Sequence, residues 1–211
     1  TLYSFEADAL NYFMTHPSES NPVSGNFAIF ASGNEGKDVS AYPAAHNRYI
    51  SVAAFGPDFL PTSYTNYGPG TNICAPGGDY SISSASSTPE RAQVLSTLPK
   101  EIGKGDYGYM QGTSMACPHV SGVVALALSY AKKLGKTFTY EEFLAMIYSS
   151  VNNIDYYIET CTKLNNGVQM DLTPFWHNMG TGAIDTWRLL MQIEGTPCLP
   201  VRKGEDIKVS L

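Results

Sequence analysis

The sequence predicts an α/β fold with helices layered above and below a parallel sheet. Three observations carry that expectation. The runs Asn26–Ala31 (NFAIFA) and Tyr49–Ala54 (YISVAA) have little polar content, as strands buried on both faces do. The stretch Met115–Lys133 is apolar on nearly every side, which marks a helix packed centrally. Strands alternating with helices then give layers around one sheet.

In chain order, residues 5–15 place Phe5, Ala9, Leu10, Tyr12 and Phe13 on an amphipathic helix. The two apolar strands follow, and Thr71–Ala75 reads as a third, shorter one. From Gly77 to Gly108 runs a long loop with a Ser-rich stretch and a short helical pattern; such length without regular structure marks a functional surface loop. The apolar helix ends at Lys132-Lys133-Leu134-Gly135, with cations at the negative helix end and Gly at C′. Thr139 and Glu142 form a capping box, with Phe138 and Phe143 as its hydrophobic staple. A last helix covers about Asp185–Ile193. Residues 1–195 are read as one domain portion, and 196–211 as a linker entering a further β segment, where Ile207, Val209 and Leu211 alternate. With Thr1-Leu2-Tyr3 carrying neither an initiator Met nor a leader, the expectation is a piece of a longer protein.

Composition excludes several function classes. The 211 residues carry 13 basic and 19 acidic side chains, a net charge of −6, which disfavours nucleic acid as a partner. No uninterrupted apolar run approaches the ~20 residues of a membrane span, so none is expected. Hydrophobic residues at 43% exclude a disordered chain. Charged residues at 15%, against roughly 25% in average soluble proteins, suggest a neutral polar surface of the kind common in secreted proteins. The cysteines at 74, 117, 161 and 198 form no CxxC pair, which argues against a zinc ribbon or redox motif. Cys74 and Cys117 read as buried small hydrophobes; Cys161 and Cys198 lie in polar loops and are free to pair in an exported chain.

The most informative segment is Gly112-Thr113-Ser114-Met115-Ala116-Cys117-Pro118-His119-Val120-Ser121-Gly122. It sets Ser114 where a loop becomes a helix, so the hydroxyl is exposed on a rigid backbone beside the positive helix end. Two readings fit that placement: an N-cap serine or a nucleophile.

This segment resembles the nucleophile motif of the subtilisin-like serine proteases, the subtilases. Other stretches match in the expected order: Ala31-Ser32-Gly33-Asn34; Tyr42-Pro43-Ala44-Ala45 before YISVAA; Ser63-Tyr64-Thr65-Asn66-Tyr67-Gly68; Cys74-Ala75-Pro76-Gly77; and GTGAID at 180–185. The resemblance spans roughly residues 5–193. It implies a three-layer, subtilisin-like α/β fold and a serine endopeptidase acting on polypeptides. It further implies Ser114 as acyl-forming nucleophile, with its own N–H and the Asn34 side chain stabilising the oxyanion. Ala31, Ser32, Gly33, Tyr42, Pro43 and Thr113 would border the substrate. The low-charge composition and the family together suggest a secreted or cell-envelope location.

The family also needs an Asp in a D-S/T-G context and a His in an HGTH-like context, and neither motif occurs. His16, His46, His119 and His177 read as structural or solvent-facing; His119 lies about 140° around the helix from Ser114. The expectation is therefore the C-terminal portion of a catalytic domain, incomplete and inactive alone, whose partner is the missing N-terminal half. No cofactor is expected, although Asp38, Asp58 and Asp79 sit in loops able to help hold a structural calcium. Two rival readings remain: a non-catalytic binding module on the same fold, and an unrelated α/β hydrolase. The second lacks support because Gly112-Thr113-Ser114-Met115-Ala116 has no second Gly for G-x-S-x-G. Ser129-x-x-Lys132 matches S-x-x-K but lies at the far helix end without a KTG triplet.

Overall fold

A computed structural model describes residues 3–83, 89–101, 105–158 and 162–196. Cys161, Cys198 and the Ile207/Val209/Leu211 pattern lie outside the described residues. The elements are α1 (Ser4–Thr15), β1 (Ile29–Ala31), β2 (Ile50–Phe55), β3 (Ile73–Pro76), β4 (Val94–Thr97), β5 (Tyr107–Met110), α2 (Thr113–Lys133), α3 (Tyr140–Ser149), β6 (Val151–Asn152), β7 (Thr162–Asn165), β8 (Val168–Asp171), β9 (Ala183–Ile184) and α4 (Thr186–Glu194).

The main sheet has the order β1-β2-β3-β9-β6. The first four strands are parallel and β6 runs antiparallel to β9. Every residue of β2 is buried, as its unbroken apolar run predicts. The two-residue period of the strands divides the core cleanly. Ile50, Val52, Ala54, Ile73 and Ala75 face α2, α3 and α4 through Val120, Val124, Phe143, Ile147, Leu189 and Ile193. Ala53, Phe55 and Cys74 face the opposite way, against Ile154, Ile158, Leu172, Phe175 and Met179. Leu10 and Met14 of α1 pack with Ala28, Phe30 and Tyr49. The result is the three-layer α/β architecture expected.

The capping signals act as predicted. Thr139 Oγ1 accepts from Glu142 N at 3.2 Å, and Glu142 Oε2 accepts from Thr139 N at 2.8 Å. Phe138 meets Phe143 edge-on, ring centres 5.8 Å apart. Asp185 caps α4, accepting from Arg188 N at 3.0 Å.

Four features depart from expectation. β1 is shorter than Asn26–Ala31 because Asn26 is tied to the end of α1, donating from N to Met14 O and from Nδ2 to Phe13 O. α2 begins at Thr113, with Gly112 as N-cap at φ 146°, rather than at Met115. It is also not buried all round: Ala116, Val120, Val124, Ala127 and Ala131 form the buried stripe while Leu126 is 49% exposed. With 21 residues and a mean hydropathy of 1.3, α2 has the length and composition to cross a membrane. Its packing on β1, β2 and β3 makes it instead the core helix of a layered fold. Finally, the long loop contains a hairpin, β4–β5, and a second hairpin, β7–β8, turns at Asn166-Gly167.

Candidate active site

Ser114 is the second residue of α2, exposed at the helix start. The first N–H groups of a helix have no partner within it. Here Thr113 N donates to Asn34 Oδ1 at 2.8 Å, while Met115 N and Ala116 N donate to Gly112 O at 2.9 and 3.3 Å. Among the described residues no acceptor faces Ser114 N. It remains a free donor at the positive helix end.

Asn34 sits just past the end of β1. Its Oδ1 accepts from Thr113 N and, at 3.0 Å, from Thr113 Oγ1. The backbone N–H of Thr113 can only donate, so the oxygen must face it and Nδ2 points away as a donor. No described residue accepts from Nδ2. Both donors lie close to Gly112: a methyl there would be 3.6 Å from Ser114 N and 3.7 Å from both amide atoms of Asn34, Nδ2 and Oδ1. Such converging donors can stabilise a negative oxygen formed beside Ser114.

The surrounding groups hold this arrangement in place. Thr113 is fully buried; its Oγ1 also accepts from Gly33 N at 3.3 Å. Gly112 N donates to Gly77 O at 2.9 Å and to the Tyr64 hydroxyl at 3.1 Å. The Tyr64 hydroxyl faces Gly77 O and Gly78 O at 2.9 and 2.6 Å. Burial pushes its pKa up to about 12, so it stays a neutral donor.

The residues expected along the substrate divide. Ser32 is fully buried and turned inward: its N donates to Val52 O, its Oγ donates to Asn66 O, and its O accepts from Ala41 N. The side chains of Ser32 and Thr113 are thus buried and turned into the fold. Gly33 is likewise engaged, accepting from Asn66 N through its carbonyl. Ala31 is half-buried on β1. Tyr42, 56% exposed, and Pro43 wall an apolar hollow of about 440 Å³ with Phe5, Ala9, Leu10 and Phe30, and Glu6 completes its lining.

No hydrogen bond among the described residues joins Ser114 to a histidine. His119 shares a hollow of about 280 Å³ with Ser114, but its Nδ1–H donates to Met115 O at 2.7 Å. His16 stacks on Tyr12 and His46 on Tyr49. His177 pairs with Asp155 at 2.7 Å. Two of the loop aspartates, Asp58 and Asp79, are paired with a lysine. Asp79 Oδ2 is 2.6 Å and Asp58 Oδ2 3.6 Å from Lys163 Nζ, so an ammonium already occupies the space between these carboxylates. Among the described residues no cluster of three or more His, Cys, Asp or Glu has the geometry to hold a metal.

The subtilase family model (peptidase S8) matches residues 4–170. The chain belongs to the subtilase family. It is 36% identical over 124 residues to an extracellular basic protease of Dichelobacter nodosus, covering 56% of this chain and 18% of that protein. It is 31% identical over 108 residues to thermitase of Thermoactinomyces vulgaris, covering 51% of this chain and 32% of that protein. Among solved structures, a protease from Pseudoalteromonas arctica superposes with a TM-score of 0.65 at 26% identity, covering 92% of this chain and 48% of that one. This subtilase chain thus spans a third or less of those two curated relatives and about half of the structural one.

Proposed function

We propose that this chain carries the nucleophile and oxyanion hole of a subtilase-type serine endopeptidase, and that the general base and its orienting acid come from outside these 211 residues. The observation that carries the reading is the pair of donors near Gly112, Ser114 N and Asn34 Nδ2, which have no partner among the described residues.

In the proposed reaction Ser114 Oγ attacks the scissile carbonyl carbon as its proton passes to the base. The carbonyl oxygen becomes an oxyanion held by Ser114 N–H and Asn34 Nδ2. The C–N bond then breaks, the base returns its proton to the departing amine, and water hydrolyses the acyl-serine in a second round. Ala31, Gly33, Tyr42 and Pro43 border the substrate groove. No step calls for a cofactor. Without a base Ser114 is an ordinary alcohol; removal of the His alone costs about 10⁶ in kcat, a magnitude that comes from subtilisin.

Two features support the supply of further residues by an upstream half of the domain. β1 is an edge strand among the described residues. Tyr3, Phe5, Tyr12 and Phe13 on or beside α1, and Leu126 on α2, are exposed apolar side chains of the kind a partner surface covers. Relatives named extracellular or cell wall-associated proteases support an extracytoplasmic location.

Fluorophosphonate labelling tests the reading, with mass spectrometry to locate the adduct and Ser114→Ala as control. The expected result is no labelling of this chain alone and specific labelling at Ser114 once the segment bearing the base is supplied. Labelling of the isolated chain at Ser114 would place the base within it. A complete protein that stays unlabelled would point to a non-catalytic module on the subtilase fold.

A further inference from the structure

We infer that Asn66 is a positioning residue for the oxyanion hole: it fixes the loop that carries Asn34. The inference rests on the proposed role of Asn34, and its starting point is the segment Ser63–Gly68, of which only Tyr64 bonds directly to Gly112 at the helix start.

Asn66 is 2% exposed, and its side chain spends its whole hydrogen-bonding capacity on one loop. Oδ1 accepts from Glu35 N at 3.1 Å and Lys37 N at 3.0 Å. Nδ2 donates to Ser32 O at 3.1 Å and Glu35 Oε2 at 2.7 Å. Two donors and two acceptors are all an asparagine side chain offers in this geometry. The partners lie on both sides of Asn34 in sequence. The backbone adds two more ties, Asn66 N to Gly33 O at 3.0 Å and Ser32 Oγ to Asn66 O at 3.1 Å.

The bracket is itself anchored. Thr65 Oγ1 accepts from Ala54 N at 2.8 Å, linking the segment to β2. The loop needs such a hold, because residues 34–39 are exposed and bring no buried side chain of their own. Gly33 and Gly36 adopt φ of 112° and 63°, conformations open to glycine at little cost. Without the side-chain clamp the loop keeps backbone ties, among them Gly36 N to Tyr64 O and Tyr67 N to Lys37 O at 2.9 Å each, but loses the four bonds that flank Asn34 on both sides. A misplacement of ~1 Å in such a group costs up to about 10²-fold in rate.

The test is a double-mutant cycle in the complete protease, this chain together with the segment that supplies base and acid. Asn66→Ala is expected to lower kcat by about 10- to 100-fold with KM within about twofold, because the donor acts in the transition state. In an Asn34→Ala background the same change should alter kcat by less than about twofold, since nothing remains to aim. Equal losses in both backgrounds, or a rise in KM at unchanged kcat, would overturn the inference. An Asn34→Ala variant with wild-type kcat would instead overturn the oxyanion reading beneath it.

Asn66→Asp guards against a folding defect. It keeps both acceptor contacts but sets a carboxylate oxygen against Ser32 O and Glu35 Oε2. Adding Glu35→Gln turns one repulsion into a donated hydrogen bond. Recovery of at least half of the lost log kcat in Asn66→Asp/Glu35→Gln is expected, and absence of recovery in a folded double variant counts against the inference. Amide exchange at Thr113, whose N–H rests on Asn34 Oδ1, should quicken in Asn66→Ala and return toward wild type in the double variant. Unchanged exchange in Asn66→Ala would likewise refute it.

Discussion

Lys163 offers a large single perturbation of stability away from the candidate active site. It lies on β7, with its side chain 4% exposed, and reaches Asp79, 1% exposed, at 2.6 Å. Asp58 stands at 3.6 Å and is 26% exposed. The other oxygen of Asp79 accepts from Ser81 N at 3.2 Å and from Ser81 Oγ. Lys163→Met keeps most of the buried stem and removes the charge, leaving Asp79 buried with only the Ser81 donors. Stranding a buried charge costs about 3–5 kcal/mol. Asp79→Asn should cost less, about 1–3 kcal/mol, because Lys163 keeps the better-solvated Asp58. The double variant should regain about 0.5–3 kcal/mol relative to the sum of the single losses. Urea denaturation followed by circular dichroism reads all three. Should Lys163→Met cost under about 1 kcal/mol, or the two single losses simply add, the ion pair does not pin β7–β8 to the Asp79 turn.

Three other predictions follow from single sites. Gly112→Ala places a methyl 3.6 Å from Ser114 N at a backbone φ of 146°; fluorophosphonate labelling of the complete protease should slow by about 10²-fold, while thermal unfolding shows a cost of about 1–3 kcal/mol. Hydrogen bonds from Thr173 hold the Asp171 carboxyl below the usual carboxylate range. A depressed carboxyl stabilises the fold above its unfolded pKa of about 3.9, and that contribution is lost as pH falls through the folded value. Asp171→Asn should therefore flatten the acid limb of the melting profile, and an unchanged limb would remove Asp171 as its source. Burial pushes the Cys74 thiol up and, to a lesser degree of burial, that of Cys117; thiol titration should modify Cys74 only on unfolding, and rapid modification in the native state would contradict its place beneath the sheet.

What the sequence disclosed and what it withheld follow from the range of each interaction. Thr139 with Glu142, Phe138 with Phe143, and Asp185 with Arg188 act over three to five residues, so residue type and spacing reveal them. The burial of β2 on both faces is legible from its unbroken apolar run. The places of Ser114 at a helix start and of Asn34 past a strand end are legible from the segments that hold them. The Asn166-Gly167 turn of β7–β8 does carry a local signal, since Asn-Gly suits two successive positive φ values, 49° and 78° here. The Lys163–Asp79 pair joins residues 84 apart, and nothing in either neighbourhood names the other.

The helix start shows why such distant contacts matter to the chemistry. Asn34 and Ser114 belong to different elements, a strand end and a helix N-terminus, 80 residues apart in sequence. An oxyanion hole built from both works only if the two move as one body. Thr113 supplies the direct coupling, through its N and Oγ1 to Asn34 and from Gly33 N. Tyr64 and Asn66, two residues apart, supply the indirect one: the Tyr64 hydroxyl accepts from Gly112 N on the helix side, and Asn66 clamps residues 32–37 on the strand side. A single short segment thus grips both halves of the hole, and Thr65 between them fastens it to β2. On the proposed reading, the donors are held in place before the oxyanion forms, which is the condition under which fixed dipoles lower a barrier without reorganising.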